Sequence, residues 1–165
     1  MHPFERRRLV RFFQTCFGPR FALARGINGA WSDPAFYSLG SGSFGLQIGI
    51  QSAQVMMMVM TDGGLHALLN SQFKFGADAG LTVATLGAGV NGSMSTALDA
   101  DIVSFSKTEG LYGGISLSGA ILSDDAGTDQ AYYGAPLDAR QIVVNMRGDN
   151  PGANPLRSTL ARFGG

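Results

Sequence analysis

Short stretches of this chain spell three kinds of chemistry. Gly40-Ser41-Gly42-Ser43-Phe44-Gly45 matches G-x-G-x-x-G, the spacing with which a strand-to-helix turn offers backbone amides to a dinucleotide pyrophosphate. Ser41-Gly42-Ser43-Phe44-Gly45 approximates the G-x-S-x-G elbow of a serine nucleophile, with Ser41 in place of the first glycine and His66 as the base it would need. Residues 1–30 carry Arg6, Arg7, Arg8, Arg11, Arg20 and Arg25 against Glu5 alone, a cationic segment suited to an anionic partner.

The first two chemistries depend on the element that follows. Both require a helix directly after the turn. Instead, Phe44, Leu46, Ile48 and Ile50 alternate with Gly45, Gln47, Gly49 and Gln51, the period of a strand with one buried face. Glycine inside a helix also costs about 1 kcal/mol relative to alanine. The acidic residue expected about 20 positions after a dinucleotide loop is represented only by Asp62, within a turn-like Thr-Asp-Gly-Gly. The reading is a glycine turn feeding a strand. No catalytic residue is assigned, and a hydrolase centred on Ser43 stands third among the functions considered. Cys16 is the single cysteine and contains no partner for a disulfide or a cysteine-based zinc site. No metal and no cofactor is expected.

The elements that position these residues follow from composition and pattern. A chain of 165 residues is long enough for one domain with a core. Its 24 glycines are roughly twice average usage and lack the collagen period. They sit between alternating apolar residues, where glycine marks bulges, bends or close backbone contacts. No apolar run reaches the roughly 18 residues of a spanning helix. The zero net charge hides an asymmetry, because residues 31–140 hold ten acids against Lys74, Lys107 and Arg140.

Residues 1–29 read as a basic arm, divergent or partly disordered, with an amphipathic helix over 4–14 that sets Phe4, Leu9, Phe12 and Phe13 against Arg6, Arg7, Arg8 and Arg11. Arginines interrupt any apolar signal-peptide segment there. Strands are predicted over 36–39, 44–51, 55–60, within 73–90, and over 98–106 and 110–122. Val55 to Met60 is continuously apolar and predicts a strand covered on both faces. Asp62 is read as the cap of a short helix containing His66. Further helices are predicted from Ser123 to Gly134, over 137–146 and over 155–163. "GLQIGI" from Gly45 is echoed by "GLYGGI" from Gly110, which includes Gly114. Residues 30–146 are read as the domain and 147–165 as a tail.

The order of these motifs resembles the SYLF domain, also called the yeast actin-regulator or Las-binding family. Trp31, Pro34, Phe36, Gly42, Ser43, Gly45, Gln47 and Gly49 fill a Trp-x-x-Pro-x-Phe and Gly-x-Ser-x-Gly-x-Gln-x-Gly pattern. "FKFGADAGLTVATLG", "IVSFSKTEGLYGGISLSGAIL" and the Tyr132-Tyr133-Gly134 triplet follow in order. The likeness covers residues 31–146. Residues 1–29 depart from the family's apolar strand ending in Phe-Pro. The resemblance implies a fold without a known catalytic centre, phosphoinositide or actin binding as in eukaryotic members, and cell-envelope proteins as in bacterial ones. The expected fold is mainly β within an α+β class: an antiparallel sandwich or closed sheet with short flanking helices. The expected function is non-catalytic binding of anionic phospholipid or a membrane surface through Arg6, Arg7, Arg8, Arg11, Phe12 and Phe13. The alternative is a structural or protein-interaction module. A protein is the second expected partner and nucleic acid is not expected. The location leans toward a membrane periphery or cell envelope.

Overall fold

The computed structural model of the chain describes residues 10–15, 20–26, 28–41, 53–70, 72–74, 83–87, 100–108 and 120–163. Strand β2 (Arg20–Ala24) shows how the fold is built. Its side chains alternate between two faces. Ala22 and Ala24 join one buried cluster, while Leu23 joins another. The sheet is therefore covered on both sides here.

The other strands are β1 (Val10–Thr15), β3 (Ala35–Ser41), β4 (Ala53–Val59), β5 (Gln72–Lys74), β6 (Val83–Gly87), β7 (Ile102–Thr108) and β8 (Ala120–Asp124). They form one sheet in the order β5-β8-β3-β2-β1-β4-β7-β6. Neighbours pair antiparallel, except β6 with β7. The helices are α1 (Asp62–Leu69), α2 (Ala126–Tyr133), α3 (Ala139–Val143) and α4 (Asn154–Phe163), with a 3-10 turn at Pro151–Ala153.

On one face, Tyr37, Met57, Val59, Phe73, Ile102 and Leu122 meet Leu65 and Leu68 of α1 and Ala139, Ile142 and Val143 of α3. Fully burying each large apolar side chain contributes about 1.5–3 kcal/mol. On the other face, Leu156 and Leu160 of α4 cover Phe21, Leu23 and Trp31.

Local capping sets the helix ends. Thr61 accepts the Gly64 N–H at 3.1 Å. Asp125 accepts that of Thr128 at 3.1 Å. Asp138 and Gln141 form a reciprocal capping box at the start of α3. Gly134 ends α2 in the left-handed region, with φ 68°, where glycine carries no steric penalty.

The α+β class, the largely antiparallel sheet and the short helices match expectation. The described strands form a single sheet covered by helices, rather than a sandwich or closed sheet. Helical 4–14 is corrected for its second half, because Val10–Thr15 is β1. Val10, Phe12, Phe13 and Thr15 favour strand, and β1 is paired along both edges, to β2 and β4. Thus Val10–Thr15 and Arg20–Ala24, both within the expected arm, lie in the middle of the sheet. Val55 to Met60 lies largely in β4. Met57 and Val59 are buried, but Met56 and Met58 are only half-buried. The cap of α1 is Thr61, with Asp62 as the first helical residue. The helix predicted over 137–146 is confined to Ala139–Val143. Gly40 and Ser41 extend β3. The strand predicted over 44–51 lies outside the described residues.

Candidate interaction site

The site grows from the turn between β2 and β3. Gly26 donates to the Ala30 carbonyl at 2.7 Å, and Ala30 N–H donates to Asn28 Oδ1 at 3.1 Å. Gly29 takes φ 84°, and its carbonyl accepts Arg25 Nε–H at 3.2 Å. Ser32 locks the turn to β2, because its Oγ accepts the Ala24 N–H at 3.0 Å and donates to the Asp33 carbonyl at 3.0 Å.

Beside this turn lies an open pocket of about 250 Å³. Ala24, Leu65, Val143 and Val144 supply its apolar wall, and Arg25, Asn28 and Met146 stand around it. Met146 is the described non-glycine residue with positive φ, 56°, a conformation that costs energy and tends to mark functional sites. Its methyl group closes so tightly on Gly26 that a Cβ there would sit 2.7 Å away. Met146 is nevertheless 37% exposed. The arrangement offers an apolar socket with a hydrogen-bonding and cationic rim.

A buried polar network supports the turn from behind. Asp33 Oδ2 accepts the Asn150 N–H at 2.7 Å, and its Oδ1 lies 3.2 Å from Arg157 Nη1, an ion pair. Asn150 Nδ2 donates to the Tyr132 carbonyl at 2.8 Å. Tyr133 donates its hydroxyl to the Pro34 carbonyl. Tyr132 meets Phe36 and Tyr133 edge-on, with centroids 5.1 and 4.9 Å apart. Phe36 N–H donates to Asp129 Oδ1 at 2.9 Å, and its carbonyl accepts the Asp125 N–H at 3.0 Å. Burial, then the charge of Asp33, pushes the Tyr132 and Tyr133 hydroxyls above the ordinary tyrosine range. Tyr37 is raised by burial and then by Asp124, Asp129 and Asp138.

Of the sequence-predicted residues, Trp31, Pro34 and Phe36 are buried in this corner, and Tyr132, Tyr133 and Gly134 join it. Gly42, Ser43, Gly45, Gln47, Gly49, Gly110 and Gly114 lie outside the described residues, as do Arg6, Arg7 and Arg8. Arg11, Phe12 and Phe13 are paired in β1 with Leu23, Ala22 and Phe21 on one side and Met58, Met57 and Met56 on the other. His66 is exposed on α1. Asp33, Asp124, Asp129, Asn150 and Arg157 were not singled out by sequence reasoning. Ser32-Asp33-Pro34 reads in the sequence only as a turn, and nothing adjacent to Asp129 signals burial. The tail is also structural, since α4 completes the second face of the core.

The family described as "Ysc84: Las17-binding protein actin regulator" matches residues 40–163. The chain belongs to the Ysc84 family. Its SYLF-type motif order is the signal that carried this expectation. The chain is similar to SH3 domain-containing YSC84-like protein 1 of Rattus norvegicus, 27% identical over 135 residues, covering 81% of this chain and 39% of that protein. It is also similar to an SH3 domain-containing protein of Schizosaccharomyces pombe, 24% identical over 151 residues, covering 90% and 35%. LAS seventeen-binding protein 3 of Saccharomyces cerevisiae is 22% identical over 148 residues, covering 87% and 32%. The chain spans about two-fifths or less of the length of these relatives. Among the described residues, no helix is long and apolar enough to cross a membrane.

Proposed function

We propose that this Ysc84-family chain is a non-catalytic protein-interaction module acting on actin or an actin-regulating protein. The observation that carries this reading is the socket beside the β2–β3 turn. It combines an apolar wall with Arg25, Asn28 and a strained, part-exposed Met146. An apolar centre with a polar, cationic rim is the composition of a protein contact surface. The family description names an actin regulator, and the yeast relative is named for binding a protein partner. The test is co-sedimentation of the full chain with purified actin filaments. Binding is expected, with loss in Val144→Glu, which places a charge in the apolar wall while thermal melting confirms folding. Absence of the wild-type chain from the filament pellet would sink the actin reading. Undiminished binding by a folded Val144→Glu would remove the socket from it.

A second reading, attachment to an anionic membrane surface, draws on Arg6, Arg7 and Arg8 beside the single acid Glu5. Each basic residue near such a surface contributes about 1 kcal/mol. Salt-sensitive binding to phosphatidylserine vesicles, weakened by changing the three arginines to glutamine, is the expected result. Equal binding by the glutamine variant would exclude this segment as the contact.

A further inference from the structure

The one buried residue of α2 is an acid, Asp129. It is fully buried, and its Oδ1 holds the Phe36 N–H. Its Oδ2 and Asp124 Oδ1 are buried too, and no donor among the described residues reaches either. Asp124 stands opposite Tyr37 in the β3–β8 register, next to the Phe36 whose N–H holds Asp129, so the two carboxyl groups converge on one corner. Two ionised carboxylates are acceptors only and cannot bond. A proton held between them resolves both unsatisfied oxygens at once. We propose that Asp124 and Asp129 form a proton-operated latch: sharing one proton ties α2 to the end of β8, beside β3, and losing it sets two buried charges against each other and loosens α2. This reading does not depend on what the socket binds.

The surroundings oppose a second negative charge. Asp125 heads α2, Asp138 heads α3, and Tyr37 faces the pair from β3. From α2 itself come Tyr132 and Tyr133. Arg157 of α4 pairs with Asp33, while Arg140 of α3 and Lys74 of β5 are exposed to solvent. Burial first, and then the charges of Asp124 and Asp125, pushes the Asp129 carboxyl up to about 7, against the pull of the Phe36 N–H. Asp124 is also raised by burial, offset by hydrogen bonds from the Ala139 N–H and from Asp129. The folded state thus holds its proton more tightly than the unfolded chain. Its contribution to stability is complete below the ordinary aspartate value of 3.8 and is lost as pH rises to about 7. Release would reach further than α2. Tyr132 ties this helix to Asn150, and Asn150 ties it to Asp33.

Carbon-13 carboxyl titration of the full chain by NMR, combined with hydrogen exchange at the Phe36 amide, tests the latch. The expected Asp129 midpoint is near 7. Phe36 protection, corrected for intrinsic exchange, should fall at least about tenfold across that midpoint as the local opening becomes easier. Asp129→Asn keeps an acceptor for Phe36 and gains a donor for Asp124, so its Phe36 amide should stay protected at pH 8. Asp124→Asn should lower the Asp129 midpoint. A midpoint below about 5, closer to an ordinary carboxyl, would overturn the proposal. So would Phe36 protection that does not change through the titration. Should the asparagine variant not fold, the wild-type titration decides alone.

Discussion

Asp33 and Asp129 bracket the same short segment, Pro34-Ala35-Phe36, and solve one problem in two ways. Both are buried, at 2% and 0% exposure. Both spend one oxygen on a backbone amide, from Asn150 and Phe36 respectively. The second oxygen makes the difference. In Asp33 it meets the Arg157 guanidinium, so a permanent cation answers the charge. In Asp129 it meets another carboxyl group, so only a proton can answer it. The first arrangement fixes the C-terminal helix to the turn through an ion pair. The second makes α2 conditional. Identical side chains at similar burial thus become a fixed clamp or a titratable one according to a single neighbour.

The sharpest way to break this comparison is an aspartate with neither solution. Met57 is 2% exposed in the middle of the sheet, among apolar neighbours. Met57→Asp offers its carboxyl no cation and no second carboxyl, so a loss of more than about 4 kcal/mol is expected. Circular dichroism in urea should show the domain unfolded or nearly so without denaturant. Wild-type melting by this variant would contradict the core assignment of β4.

Next comes removal of the cation. Arg157→Ala leaves Asp33 with the Asn150 amide alone. Breaking a wholly buried pair costs about 3–5 kcal/mol. Arg157 is 38% exposed, so solvent screens the pair and a loss of about 2 kcal/mol is expected. Urea denaturation measures it. A loss below experimental error would place Arg157 among ordinary surface cations.

The third test sharpens the titratable half. Asp129→Asn should match wild-type stability at pH 5 and exceed it by about 2 kcal/mol at pH 8, since only the wild type must give up a proton that its folded state holds to about pH 7. Parallel denaturation curves at the two pH values decide it. Equal pH slopes for both proteins would contradict the assignment. The smallest expected effect belongs to Tyr133→Phe. It removes the hydroxyl that donates to the Pro34 carbonyl and should cost about 0.5–1 kcal/mol. A thermal melt at constant pH suffices, and an unchanged melting temperature would mean that ring packing alone holds Tyr133.

Much of the fold was legible because its causes are local. Asp125 and Gly134 announce the ends of α2 from within a few residues. The apolar run of β4 marks a strand in the same way, whereas β2 was read as part of the arm. The arm was misread over Val10–Thr15 because a basic and aromatic stretch supports either a surface helix or a strand. The choice was made by β2 and β4, which pair with it on either side. The candidate site was far less visible. The socket joins residues from the β2–β3 turn, α1 and α3, and no sequence window contains them together.

The sequence by itself determined the family-level order of motifs, the α+β class and the ends of α2. Each depends on residue type and short spacing, and each acts through nearby backbone dihedrals and hydrogen bonds. Only the tertiary structure decided which aspartates are buried and what answers their charge. Phe36 and Asp129 stand 93 positions apart, and Asn150 and Asp33 stand 117 apart. Whether such a carboxyl is paired, protonated or solvated is set by the charge and dielectric around it. Those surroundings exist only once β3, β8, α2 and α4 have come together.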